Sequence, residues 1–121
     1  MFKERNRTGA LGEKQAKKAL KKQGYKILDT NYRCKLGEID IIARDKDTIV
    51  FVEVRTKRTL EFGTPEESVN HAKQAKLIRL GKYYIQQQKL QDKFWRIDVV
   101  AVEVDDRDKI TRLDIIQNAL G

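Results

Sequence analysis

Gly37-Glu38-Ile39-Asp40-Ile41-Ile42-Ala43-Arg44-Asp45-Lys46-Asp47-Thr48-Ile49-Val50-Phe51-Val52-Glu53-Val54-Arg55 reads as two apolar runs around a polar Asp-Lys-Asp tip, the pattern of a β-hairpin. With Lys46 and Asp47 as a two-residue turn, Asp45 faces Thr48, and the same register sets Asp40 opposite Glu53. Directly opposed side chains have Cβ atoms about 5 Å apart, where like charges repel. Val50, Val52 and Val54 share one face of the second strand and Phe51 takes the other. A strand apolar on both faces is normally central and covered. A Glu at its end is costly unless it is paired or coordinating. Two carboxylates held together in this way suit a cation, and a few oxygen ligands with room for water and phosphate suit Mg²⁺, with Mn²⁺ as a substitute. The competing reading is an exposed acidic hairpin, and a one-residue slip would put the pair on opposite faces.

Outward from the hairpin, the chain reads as a single domain over residues 1–121, without a Gly/Ser linker or a repeat. A first helix spans about Thr8 to Gln23, with Thr8 as N-cap and Gly24 as the stop. Leu11, Ala16, Ala19 and Leu20 form its apolar stripe, and lysines cover the rest. A strand over Tyr25–Tyr32 precedes the hairpin. Thr64-Pro65-Glu66-Glu67 has the Thr, Pro and Glu of a capping box. The helix it opens runs to about Gln88 with a break near Asn70, burying Leu77, Ile78, Gly81 and Ile85. Phe94–Val104 and Ile110–Ile116 read as the last two strands, with Trp95 and Tyr84 in or beside the core. The order is αβββαββ, an α/β protein with a central mixed sheet flanked by helices.

Lys and Arg number 26 against 18 Asp and Glu, a net charge of +8. The surplus lies ahead of Asp98, because the remainder is net acidic. Such asymmetry points to a polyanionic partner, DNA or another nucleic acid. Cys34 and His71 are each the sole residue of their kind. That excludes a disulfide framework, a Cys-based zinc site, and Ser-His-Asp or Cys-His catalysis. No 18-residue apolar run exists, and Met1–Arg7 has no signal-peptide core. A cytoplasmic protein with no membrane partner is therefore expected.

Glu13 lies along the apolar stripe of the first helix and is a candidate third carboxylate. Glu53, Arg55 and Lys57 alternate onto one strand face, which sets cations beside the proposed ion. Arg55 cannot act as a base, whereas Lys57 can if the strand reaches it. Gln74 shares the stripe of Leu77 and Ile78, flanked by Lys73, Lys76, Arg79 and Lys82. Spaced cations of this kind suit a phosphate backbone, and equally a solvated helix face. Lys14, Arg58, Lys73, Lys76 and Arg79 are the candidate nucleic-acid contacts.

Taken together, Gly9-Ala10-Leu11-Gly12-Glu13, Gly37-Glu38-Ile39-Asp40, Phe51-Val52-Glu53-Val54-Arg55, Lys73-Gln74 and Arg96-Ile97-Asp98-Val99-Val100 resemble the PD-(D/E)XK nuclease superfamily. The closer resemblance is to the YraN family of small bacterial proteins, distantly similar to Holliday junction resolvases. It implies a restriction-endonuclease-like fold, with Asp40 and Glu53 as metal-binding acids and Glu13 as the helix acid. Arg55 stands where the superfamily pattern has Lys, so either Lys57 takes that role or the hydrolytic step is absent. A resolvase-like protein would also be expected to work as a homodimer.

The expected function is a Mg²⁺-dependent endonuclease-like activity on DNA, with branched DNA as a candidate substrate. Asp40, Glu53, Glu13 and the Val54 carbonyl would hold the ion, Arg55 or Lys57 would stabilise developing charge, and Gln74 would orient water or phosphate. The alternatives are a non-catalytic nucleic-acid-binding module on the same fold, and a domain whose basic face meets an acidic protein.

Overall fold

Alternating apolar residues place five strands in one sheet, and two amphipathic helices cover its faces. The computed structural model describes residues 7–120, so the Met1–Asn6 part of the leader reading lies outside it. In chain order the elements are α1 (Arg7–Lys22), β1 (Lys26–Cys34), β2 (Gly37–Asp45), β3 (Thr48–Lys57), a 3₁₀ turn (Glu66–Ser68), α2 (His71–Gln87), β4 (Phe94–Val104) and β5 (Ile110–Ile116). The strands lie in sequence order across the sheet. Only β3 and β4 run parallel, and α2 provides the long crossover that a parallel pair requires. The αβββαββ order and the mixed sheet are those read from the sequence.

Each helix seals its own core. Ala16 and Leu20 of α1 pack on Ile41, Ala43, Val50, Val52, Val100 and Val102. Leu77, Leu80 and Ile85 of α2 pack on Ile39, Ile42, Ile49, Phe51, Ile97 and Val99. Strand β3 therefore feeds both cores, as its unbroken apolar run required. Phe51 is fully buried and meets Trp95 and Tyr84 edge-to-face, with ring centroids 5.5 Å away in each case. Truncating such a residue costs about 3–5 kcal/mol. Both helices make one close approach through a glycine. A Cβ on Gly12 would collide with Thr56 of β3, and one on Gly81 would sit 2.8 Å from the Trp95 ring.

Two local expectations change. The capping box forms, with the Thr64 N–H donating to Glu67 Oε1 (2.8 Å) and the Glu67 N–H donating to Thr64 Oγ1 (3.3 Å). It heads only the 3₁₀ turn, however, and α2 starts afresh at His71, where Asn70 accepts from the Lys73 N–H at 2.9 Å. Asn70 is thus the break foreseen in that helix. Thr8 lies inside the first turn of α1 rather than capping it, and its hydroxyl accepts from Arg58. Among the described residues no helix is long and apolar enough to cross a membrane.

The hairpin register holds from Asp45↔Thr48 to Ile41↔Val52 and stops there. Asp40 and Glu53 are therefore not a ladder pair, which corrects the register expectation. Side-chain alternation is interrupted at this point. Ile39 belongs to the α2 core and Ile41 to the α1 core, so strict alternation fails across Asp40. Asn31 lies between the β1–β2 pairs Thr30↔Ile41 and Tyr32↔Ile39 and has φ +54°. The two strands of the hairpin part here, and a gap opens at the end of the sheet.

Candidate metal and nucleic-acid site

Where β2 and β3 part, a backbone amide needs a new partner. The Val54 N–H finds it in Asp40 Oδ2, at 2.9 Å. This bond fixes the Asp40 carboxylate in the gap. Beside it lies a cavity of about 300 Å³, whose lining includes Asp40, Glu13, Val54, Arg55, Lys57 and Ser68. Strand β3 does continue through Lys57, so that side chain reaches the cavity, as the sequence required for it to take part.

Glu53 is only 3 % exposed. Its Oε2 meets Lys73 Nζ at 3.2 Å and Arg55 NH1 at 3.3 Å. Burial, and next the charge of Asp40, push its carboxyl up to about 7, against the opposing pull of Lys73 and Arg55. Asp40 and Glu53 are thus electrostatic neighbours although they are not a strand pair. Glu13, also buried, comes from α1 on the other face of the sheet and meets the cavity from that side. Among the described residues no three His, Cys, Asp or Glu side chains gather closely enough to cage a metal. Glu13 and Asp40 line the same cavity, and Asp40 is also the acid whose charge acts on Glu53.

The cations divide by role. Arg55 donates to Ser68 Oγ (2.8 Å) and to the Ser68 carbonyl (3.2 Å) as well as to Glu53. It therefore clamps the 3₁₀ turn onto β3. Arg58 is drawn into a staple with Asp108, the Asp105 carbonyl and Thr8, which joins the end of β3 to the β4–β5 turn and to α1. Gln74 donates from Nε2 to the Val69 carbonyl at 3.0 Å, bracing the entry to α2. Lys14 on α1, and Lys76 and Arg79 on α2, are exposed. Because the two helices cover opposite faces, these three do not form one continuous stripe.

Lys73 was read from the sequence only as a backbone contact, and its bond to Glu53 was missed. The signal was present: Lys73 lies four and seven residues before Leu77 and Leu80, on the buried stripe. A second missed group is Asp98, which is fully buried. Its Oδ1 accepts from Arg96 Nε and the Asn118 N–H, and its Oδ2 from the Tyr25 hydroxyl, each at 2.9 Å. Arg96 also reaches Asp45 at 2.9 Å. An acid within the apolar run of β4, two residues after an Arg, was the available sign, since a buried charge needs a partner.

A five-stranded mixed sheet between two helices, with acids gathered where the second and third strands part, defines an α/β protein with a restriction-endonuclease-like core. The model of the uncharacterised protein family UPF0102 matches residues 12–102, and the chain belongs to that family, the YraN family. A UPF0102 protein of Caldicellulosiruptor saccharolyticus is 47 % identical over 111 residues, covering 92 % of this chain and 94 % of its own. One from Moorella thermoacetica is 45 % identical over 115 residues, covering 95 % and 96 %. One from Clostridium acetobutylicum is 44 % identical over 113 residues, covering 93 % of each.

Proposed function

We propose that this protein is a metal-dependent endonuclease acting on DNA, with the gap between β2 and β3 as its active site. The observation that carries the reading is the pairing of a buried carboxylate, Glu53, with a second acid, Asp40, whose charge raises its pKa. A fold gains nothing from two such neighbours unless a cation joins them. The donor set fits Mg²⁺ or Mn²⁺. Magnesium binds through one or two carboxylates and keeps several waters, so a three-acid cage is not needed. Lys73 and Arg55 occupy Glu53 Oε2, and the Val54 amide occupies Asp40 Oδ2. The second oxygen of each carboxylate is the one available to an ion, with the Val54 carbonyl nearby and Glu13 on the α1 side.

Bound there, the ion would supply Lewis acidity toward a phosphodiester and a more acidic water. The chain's own residues do the rest. Lys57, in the cavity wall, would hold a phosphate oxygen and stabilise its developing charge. Lys73 partly offsets the burial that raises the Glu53 pKa. Arg55 fixes the strand end through Ser68, so the acids keep their spacing. Lys14, Lys76 and Arg79 contribute long-range attraction to the DNA backbone.

One observation favours a second reading, a nucleic-acid-binding module without cleavage: Glu53 already carries two cations. Cleavage of single-stranded, duplex and branched DNA, assayed with Mg²⁺, Mn²⁺ and EDTA, separates the two. We expect cleavage that EDTA abolishes. Asp40→Asn should lower it by at least about 100-fold while DNA binding persists or tightens. A folded sample that binds DNA but cuts none of these substrates would establish the binding module, and one that binds no DNA would remove both readings.

A further inference from the structure

Lys57 stands between two cavities. It lines the one that holds Asp40 and Glu13, and also a second of about 320 Å³ whose wall includes Glu103. In the sheet, Lys57 pairs with Glu103 across β3 and β4, and Glu103 pairs with Arg112 across β4 and β5. Ladder partners share a face, and neighbouring strands lie about 5 Å apart. Glu103 is therefore a carboxylate with a cation on either side, and its side chain is only 16 % exposed. A largely buried charge takes a partner. Arg112 is the one it takes, with NH1 donating to Glu103 Oε2 at 2.7 Å. No described residue forms an ion pair with Lys57.

The rest of the Arg112 guanidinium fixes that choice. NH1 and NH2 donate to Glu66 Oε1 (3.0 Å) and Oε2 (2.7 Å), and Nε donates to Asp114 Oδ2 (2.9 Å). Single exposed ion pairs are worth little, but a bidentate guanidinium inside a network of acids holds its geometry. Without Arg112, the cation left beside Glu103 in the row is Lys57, one strand away.

We propose that Arg112 is a positioning residue for the site: by holding Glu103 toward β5, it leaves the Lys57 ammonium to a phosphate at the Asp40 cavity. Arg112 itself stays two strands from β3, roughly 10 Å across the sheet, and acts only through Glu103. The phosphate in this statement rests on the function proposed above. The contest between Glu103 and the Asp40 cavity for Lys57 does not. A purely structural route also exists, because Glu66 belongs to the 3₁₀ turn whose Ser68 holds Arg55, and the test must separate the two.

The first readout is acetylation of Lys57 by a limiting amine-acylating reagent in metal-free buffer. Mass spectrometry scores it against Lys14, which is exposed. The second is Mg²⁺-dependent cleavage of branched and duplex DNA. Arg112→Gln should slow acetylation of Lys57 by roughly 3- to 5-fold, the weight of one partly exposed ion pair, and lower kcat/KM for cleavage by a similar factor. Adding Glu103→Gln should return both to the parent's level, although the Glu66 fork is still missing. An unchanged Lys57 rate in Arg112→Gln would overturn the proposal. So would a double variant as slow as the single one, because the loss would then come from the loosened turn. If Arg112→Gln does not fold, Glu103→Gln alone decides. A Lys57 rate equal to the parent's supports the proposal, and a faster one overturns it by showing that Lys57 was already paired with Glu103. A parent that cuts no DNA but gives the expected acetylation pattern would remove the proposed activity and leave the positioning of Lys57 standing.

Discussion

Asp98 and Glu53 are both buried acids on central strands, 0 % and 3 % exposed, and their surroundings differ in kind. Asp98 has four polar contacts, from Arg96, Tyr25 and the Asn118 amide, and they join the start of β1, strand β4 and the C-terminal segment. Glu53 has two cations on one oxygen and another carboxylate as its neighbour. The first arrangement satisfies the charge with hydrogen bonds and gains rigidity. The second leaves repulsion in place at the end of the sheet where the strands separate. A buried carboxylate met by several donors ties segments of the fold together, whereas one set beside a second acid has its pKa raised in spite of two cations.

The contrast breaks most readily at Asp98. Asp98→Ala should destabilise the protein by about 3–5 kcal/mol, because it removes the buried partner of Arg96, leaves that guanidinium with Asp45 and Tyr25, and deprives the Asn118 amide of its acceptor. Urea denaturation measures this, and a loss under about 1 kcal/mol would remove the structural half of the comparison.

Glu53 should behave in the opposite sense. Its folded pKa, about 7, lies above its ordinary 4.5, so the native state holds the extra proton between those values. Stability from this group is therefore present at low pH and declines as pH rises from about 4.5 to 7. Parent and Glu53→Gln should diverge across that window in metal-free thermal melts, with the variant flatter, by an amount on the order of 1–3 kcal/mol. Mg²⁺ should bind more tightly as pH rises through the same window, by up to about tenfold per unit, because proton and metal compete for one carboxylate. A parent profile that parallels Glu53→Gln would deny the strained pair.

Arg55→Lys sharpens the comparison at smaller scale. Lysine cannot reproduce the fork that reaches Ser68 and Glu53 together, so the variant should lose about 1–2 kcal/mol by denaturation, even though it restores the superfamily's residue. Higher activity without lost stability would mean that Arg55 limits the chemistry and clamps nothing. Smallest is the effect of the outer lysines. Lys76→Ala with Arg79→Ala should lower the slope of log affinity against log salt by up to roughly two units, with no change in the melting profile.

Much of this architecture is local enough to read from residues. The tip of the hairpin, the break at Asn70, the inward Glu13 and the two-sided β3 each follow from spacing within a few positions. The end of the β2–β3 ladder does not, because it coincides with a break in alternation at Asp40, opposite the left-handed Asn31 of β1. The partners of Glu53 and Asp98 are likewise set by packing between distant segments. Lys73 stood on the buried stripe of its helix, but only the crossover of α2 back over β3 reveals which acid it meets. Arg58 looked like a phosphate contact because nothing nearby in sequence names Asp108 as its partner.

The seat of Gly81 gives α2 the character of a measuring rod. The helix is pressed against the Phe51 and Trp95 rings at a point where any larger residue would meet them within about 3 Å. That notch sets how far the rod extends toward the gap. Lys73 lies eight residues up the same helix, roughly 12 Å along its axis, and its ammonium meets Glu53 because the notch holds that length constant. A methyl group added at Gly81 would lift or slide the rod and carry the ammonium off the carboxylate. A search for variants that silence the site would therefore return a position two helical turns from it, in the middle of the hydrophobic core.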